Sequence, residues 1–195
     1  MINGGYDAFD DPYAYPATSV LRNLLDIRDP EELEAFEVEI STLRSEEPLP
    51  GGNFDSEHYR RVHHHLFQDV YAWAGEYRTV QTSKGGNLFC YPEHLSAQMD
   101  LLFQSTNFRV RFRDLSPQAF TENLAAFLAE LNAIHPFREG NGRAQLAFIG
   151  LVGATFEHPL SFEKLDRAKF LPAMIASYGG NLRPLIMELS HLRSE

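Results

Sequence analysis

His135, Glu139, Asn141 and Arg143 fall within the string His135-Pro136-Phe137-Arg138-Glu139-Gly140-Asn141-Gly142-Arg143. These side chains are a base, a metal-binding carboxylate, an amide and a cationic fork. Gly140 and Gly142 allow backbone dihedrals closed to other residues and let a ligand approach closely. The helical pattern that follows directs free N–H groups and a positive dipole end into the turn, which makes it an anion site. Glu139 by itself opposes an anion. With Mg²⁺ the sign reverses, because a carboxylate can hold an ion that also bridges phosphate oxygens. Asn141 can give amide hydrogen bonds to a phosphate, and Arg143 can fork onto one phosphate or bridge two. His135 has an ordinary pKa near ~6.5 and can take a proton from an attacking hydroxyl. The chemistry implied is the binding and attack of a nucleotide phosphate.

These residues need elements to position them. Ser116-Pro117 opens a helix whose Phe120, Leu124, Phe127, Leu128, Leu131 and Ile134 share one face, and it delivers His135 at its end. From Arg143 a helix apolar nearly all round places itself in the core. Asp29-Pro30-Glu31-Glu32 is a helix start with a cap, a proline and first-turn acids. Leu33, Phe36, Ile40 and Leu43 continue it, and Pro48 to Gly52 break the chain. Asp55 or Ser56 opens a further helix whose stripe runs from Tyr59 to Trp73, with Gly75 as its end. Ser19 is expected to cap a short helix through Leu21 to Ile27. Residues 77–91 alternate around Ser83-Lys84-Gly85-Gly86-Asn87 and predict a β-hairpin. Helices are expected again over 93–107, 166–177 and 182–192. Arg109, Arg111 and Arg113 alternate with Val110 and Phe112 as a basic, strand-like connector. The fold class expected is all-α with one small hairpin.

Composition narrows the function. The chain has 195 residues, of which 44% are apolar, enough for a sizeable core. With 17 Lys and Arg against 27 Asp and Glu, the net charge is −10. That argues against direct nucleic-acid binding, which depends on cationic neutralisation of phosphates. Cys90 is the single cysteine, so no internal disulfide forms, which suits a reducing cytoplasm. The N-terminus does not resemble a signal peptide, and the apolar stretch from Ala144 to Phe156 is shorter than the roughly 20 residues that span a bilayer. His63-His64-His65 cannot converge on one metal ion, because neighbouring helix positions point about 100° apart.

The motif string resembles the signature of the Fic (filamentation induced by cAMP) family, HxFx(D/E)GNGRxxR. Asp11-Pro12-Tyr13-Ala14-Tyr15-Pro16, Val20-Leu21-Arg22-Asn23 and Leu66-Phe67-Gln68-Asp69-Val70-Tyr71-Ala72-Trp73-Ala74-Gly75 are similar to stretches of bacterial FicT-type toxins. The resemblance implies a Fic-type helical bundle over 19–195 after an irregular arm at 1–18. It implies a protein adenylyltransferase that moves AMP from ATP to a hydroxyl side chain. In that scheme His135 is catalytic, Glu139 holds Mg²⁺, and Gly140, Asn141, Gly142 and Arg143 bind the nucleotide. Tyr178 and Asn181 lie where related proteins approach the base. The hairpin at about 78–91 corresponds to a flap that holds the target in extended form, with Lys84, Gly85, Gly86, Asn87 and Leu88 as its contact residues. Gly-Asn-Gly also separates this chain from Doc-type relatives, which phosphorylate.

The resemblance further implies a cytoplasmic toxin whose targets are DNA gyrase and topoisomerase IV. The family's inhibitory pattern, (S/T)xxxE(G/N), is absent. Its nearest match, Thr42 to Glu46, is followed by Glu47. A separate small antitoxin with an inhibitory helix is therefore the implied partner. One position departs from the signature: Leu146 stands where a second arginine is expected. Lys84 or Arg138 is a candidate substitute. The alternatives are a degenerate Fic fold that binds nucleotide or a partner without chemistry, or an enzyme with another nucleotide donor.

Overall fold

The computed structural model describes residues 11–193. Eight α-helices and one two-stranded hairpin are found among them, in agreement with the all-α expectation. Helix α1 spans Pro30–Glu46, and the Asp29 carboxylate accepts from the N–H groups of Glu31 and Glu32. Helix α2 spans Ser56–Phe67, with Asp55 capping His58 N–H. The hairpin strands β1 (Ser83–Lys84) and β2 (Asn87–Leu88) pair antiparallel. Gly85 and Gly86 form its turn with φ of 58° and 82°, the left-handed pair that a tight hairpin turn requires. Helices α3 (Leu95–Thr106), α4 (Phe108–Arg111), α5 (Pro117–Ile134), α6 (Asn141–Thr155), α7 (Arg167–Tyr178) and α8 (Arg183–Leu192) follow.

Helix α5 is the central beam. It packs against α3, α6, α7 and α8, while α2 lies against α1 and α6. Its apolar stripe of Phe120, Leu124, Leu128 and Leu131 is fully buried. Tyr59, Phe103, Phe108, Phe127, Phe137 and Phe148 form a contiguous aromatic cluster between α2, α3, α5 and α6. Ser116 Oγ caps α5 at Ala119 N–H, as its sequence predicts. The site loop is therefore hung between the two best-packed helices.

Three local expectations fail. Residues 19–29 are not helical. The Asn23 side chain accepts from the N–H groups of Leu25 and Ile27 and donates to the carbonyls of Leu21 and Ile27, winding the segment into a side-chain-bonded turn. Helix α2 stops at Phe67, well before Trp73. Residues 68–75 turn instead, pinned by Gly75 N–H donating to His63 Nδ1. Arg109 and Arg111 sit on the short α4, not on a strand-like connector. The hairpin ladder is also shorter than 78–91: its paired residues are 83–84 with 87–88, and beyond them Arg78 N–H and Cys90 N–H bond to Pro136 C=O and Ala133 C=O.

Candidate active site

Helix α5 ends at His135, which takes a left-handed conformation with φ 51°. This is uncommon for a residue with a side chain and marks a backbone held by its surroundings. The bend releases the chain into the loop 136–140, and α6 starts at Asn141. Phe137 is fully buried and stacks on His63, with centroids 3.7 Å apart. His63 Nε2–H donates to the Glu139 carbonyl at 2.9 Å, and its Nδ1 accepts from Gly75, so the ring is neutral in one tautomer. Asn141 is completely buried. Its Oδ1 accepts from Phe137 N–H and its Nδ2 donates to Phe137 C=O. The Asn141 amide thus staples the loop, with one Nδ2 hydrogen on Phe137 C=O. Its backbone N–H, with those of Gly142 and Arg143, lies in the first helical turn and has no partner within the helix.

Gly140 carries φ 79°, and a Cβ there would meet the Phe67 ring at 2.4 Å. Gly142 is exposed, and a Cβ there would meet nothing within 4 Å. One glycine answers to the protein's own packing. The other leaves the mouth of the turn open.

The Glu139 carboxylate folds back so that Oε1 accepts from Gly140 N–H at 2.8 Å. Burial raises its pKa, and the nearby Glu37 charge adds to that. Among the described residues Oε2 accepts no hydrogen bond, and the side chain is 29% exposed. No three acidic, histidine or cysteine side chains cluster to hold a metal among the described residues. A single open carboxylate oxygen nevertheless fits Mg²⁺, which binds through one or two carboxylates plus substrate phosphates and keeps much of its water.

Arg143 is held from an unexpected side. Its Nη2 donates to Glu37 of α1, its Nη1 donates to Ser41 Oγ at 3.1 Å, and its guanidinium lies 4.8 Å over the Phe67 ring. Glu37 in turn accepts from the Tyr71 hydroxyl. Nothing in the residue types flags this network, although a glutamate inside the apolar stripe of α1 is a signal in hindsight. Arg138 is buried and paired with Asp11, Nε to Oδ2 at 2.7 Å. It holds the arm against the loop and is not exposed toward the turn, so it is a poor substitute for the missing arginine. Leu146 packs half-buried against the core.

The hairpin lies over the base. Phe89, just after β2, stacks on the His135 ring at 3.9 Å and 8°. Tyr178 reaches from the end of α7 and donates its hydroxyl proton to Leu88 C=O at 2.5 Å. Its observed contacts are thus with the flap. Asn181 is exposed, and its side chain accepts from Arg183 N–H. Lys84, Gly85, Gly86 and Leu88 are exposed at the hairpin tip and Asn87 is half-exposed. His64 and His65 bond to the carbonyls of Ala74 and Arg44, so the three neighbouring histidines point to three separate places.

Burial drives the pKa of His63 and His135 down to about 3, with Arg143 contributing at the first and Arg78 and Lys84 at the second. Both rings are neutral at cellular pH. Between pH 6.5 and about 3 the unfolded chain binds these protons and the folded chain does not, so each ring's contribution to stability falls as pH drops through that window. The imidazole signals of both residues are expected to hold their neutral positions from pH 8 to 5 in an NMR titration. A titration of either near pH 6.5 would contradict this packing.

The geometry defines a class: a helical bundle that carries a His–Glu–Gly–Asn–Gly–Arg turn at a helix start, beneath a short β-hairpin. The Fic/DOC family model matches residues 53–152, and the chain belongs to that family. It is 46% identical to the probable protein adenylyltransferase y4lH of Sinorhizobium fredii, over 96% of this chain and 98% of the relative. It is 32% identical to the probable protein adenylyltransferase Fic of Escherichia coli, over 95% and 93% of the two chains. Protein adenylyltransferase VbhT of Bartonella schoenbuchensis is 34% identical, and there the match spans 37% of the relative's length. Among solved structures, the BepC protein of Bartonella tribocorum with bound AMPPNP superposes with TM-score 0.84 at 27% identity, covering 93% of this chain and 96% of that one.

Proposed function

We propose that this protein transfers AMP from ATP to a hydroxyl side chain of another protein. The observation that carries the reading is the placement of His135, at the carbonyl end of α5, one loop before the open N-terminus of α6. A base and an anion seat are thereby joined by a loop that Asn141, Phe137 and His63 hold rigid. The relatives named adenylyltransferases support AMP as the group transferred.

In this reaction the target hydroxyl oxygen attacks the α-phosphorus and its proton passes to His135. The bond from the α-phosphorus to the bridging oxygen breaks, and pyrophosphate leaves. The backbone N–H groups of residues 141–143 hold phosphate oxygens, and Arg143, on α6 with its guanidinium held by Glu37 and Ser41 of α1, meets the outer phosphates. Glu139 would hold Mg²⁺, which supplies charge neutralisation on the triphosphate. Burial makes the imidazole a weak base by itself. A bound triphosphate brings negative charge beside it and raises its basicity. Tyr178 and Asn181 are carried as candidates for the base, and the flap tip at 84–88 for the target segment.

We further propose a cytoplasmic toxin held by a separate antitoxin, acting on DNA gyrase or topoisomerase IV. The resemblance to FicT-type toxins supports this assignment. ATP labelled in its α-phosphate, added with bacterial extract, is expected to label protein, whereas γ-labelled ATP is not. Protein labelled by the γ-phosphate alone would refute the reading. Leu146→Arg restores a second cation one helical turn after Arg143 and is expected to raise α-label transfer severalfold. Flat or reduced transfer in that variant would show that the position does not limit the reaction.

A further inference from the structure

Arg78 heads the largest fully buried side chains, with 2% exposure. A guanidinium is costly to bury unless its donors are met. Here they are met by backbone carbonyls of separate segments. Nε donates to His135 C=O at 2.9 Å and Nη2 to Ile134 C=O at 3.3 Å. Nη1 donates to Val80 C=O at 2.6 Å and Nη2 also to Cys90 C=O at 2.5 Å. The first two carbonyls are at the negative end of α5, where terminal carbonyls lack helical partners and a cation is favoured. The last two lie on the opposite stems of the hairpin. Backbone bonds follow the same seam: Arg78 N–H donates to Pro136 C=O, and Cys90 N–H to Ala133 C=O.

We infer that Arg78 is the positioning residue that sets the flap over His135. Resting on the adenylyltransferase reading above, this residue fixes the gap between a target segment lying along the hairpin and the imidazole that takes its proton. The geometry explains why an arginine is needed. A planar fork with five donors can reach both stems and the helix end at once, whereas a lysine presents its donors from one point. The same fork stabilises the left-handed turn at His135, because the carbonyl of His135 itself is one of its acceptors. Phe89, stacked on the imidazole, directly precedes Cys90, whose carbonyl the fork holds.

The test uses the full chain with Arg78→Lys and Arg78→Gln. Three readouts are followed: amide hydrogen exchange over 80–91, the ring-current shift of the His135 imidazole protons under Phe89, and AMP transfer to proteins of a bacterial extract as ATP is varied. The inference predicts exchange at least tenfold faster in 80–91 with α5 and α6 still protected. It predicts the His135 signals moving toward unstacked positions. It predicts kcat falling about 100-fold with KM for ATP within threefold, the size of loss that a misplacement of about 1 Å produces. Lysine is expected to retain more activity than glutamine. Unchanged exchange over 80–91 would overturn the inference. So would protection lost uniformly across α5 and α6, or no folded protein at all, since Arg78 would then be a general core strut. An equal rise in KM would also overturn it, by placing Arg78 on the nucleotide instead. Exchange and ring shifts do not depend on turnover. If the wild type transfers no AMP, the functional reading fails while those two readouts still judge whether Arg78 holds the flap.

Discussion

His135→Asn is expected to lower AMP transfer by about a thousandfold, within the ~10²–10⁴ that a positioned general base contributes. Asparagine is the sharper choice over alanine. His135 holds φ 51°, and asparagine is among the few side chains that tolerate that backbone. It also partly fills the space beneath Phe89, where the imidazole is 5% exposed. The melting temperature is expected to fall by only a few degrees, in keeping with about 1 kcal/mol lost in a chain of this size. His135→Ala should lose activity equally but melt somewhat lower, because it empties the stack. Transfer kept within tenfold in His135→Asn, with ATP still consumed, would show that the hydroxyl proton leaves by another route.

Gly140→Ala is expected to destabilise the protein by about 3 kcal/mol, combining the ~1–2 kcal/mol cost of a left-handed alanine with overpacking of ~1–3 kcal/mol. The added methyl would sit 2.4 Å from the Phe67 ring, at φ 79°. Phe67 cannot yield quietly. Its ring lies under the Arg143 guanidinium and 4.7 Å from His63, which holds the Glu139 carbonyl. A drop of roughly 10 °C in the melting temperature is the expected reading. Gly142→Ala is the paired control. Its methyl meets nothing, and alanine gains up to ~1 kcal/mol over glycine in a helix. That variant is expected to melt at or above the wild type yet bind Mg·ATP more weakly, because the methyl projects into the open mouth of the turn. If Gly140→Ala melts within 2 °C of the wild type, the close packing of the loop on α2 is wrong. If Gly142→Ala binds nucleotide normally, the phosphates do not sit there.

Much of this arrangement is written in local signals. Asp29, Asp55 and Ser116 each cap the helix that the chain pattern assigns to them, because a cap is decided by one side chain and the next three N–H groups. The motif string was legible for the same reason: its residues are neighbours. The failures are equally physical. Ser19 looks like a cap, but the Asn23 side chain competes for the backbone groups a helix would use. The apolar stripe of α2 continues to Trp73 although the helix ends at Phe67, since turn residues also bury their side chains in the core. The partners of the site were not legible at all. Glu37 reaches Arg143 across 106 positions and Arg78 reaches His135 across 57. His63 reads in the sequence only as one of three neighbouring histidines that cannot share a metal, and it is the fully buried peg beneath the loop. Such roles exist only once the chain is folded.

The most direct test of the central claim is intact-mass analysis of host proteins after expression of the wild type beside His135→Asn. A transferred AMP group adds about 329 Da, the nucleotide less one water, to a hydroxyl-bearing residue. The account predicts that adduct on at least one host protein with the wild type and its loss with the variant. An adduct of equal abundance in both, or a different added mass in the wild type, would contradict it.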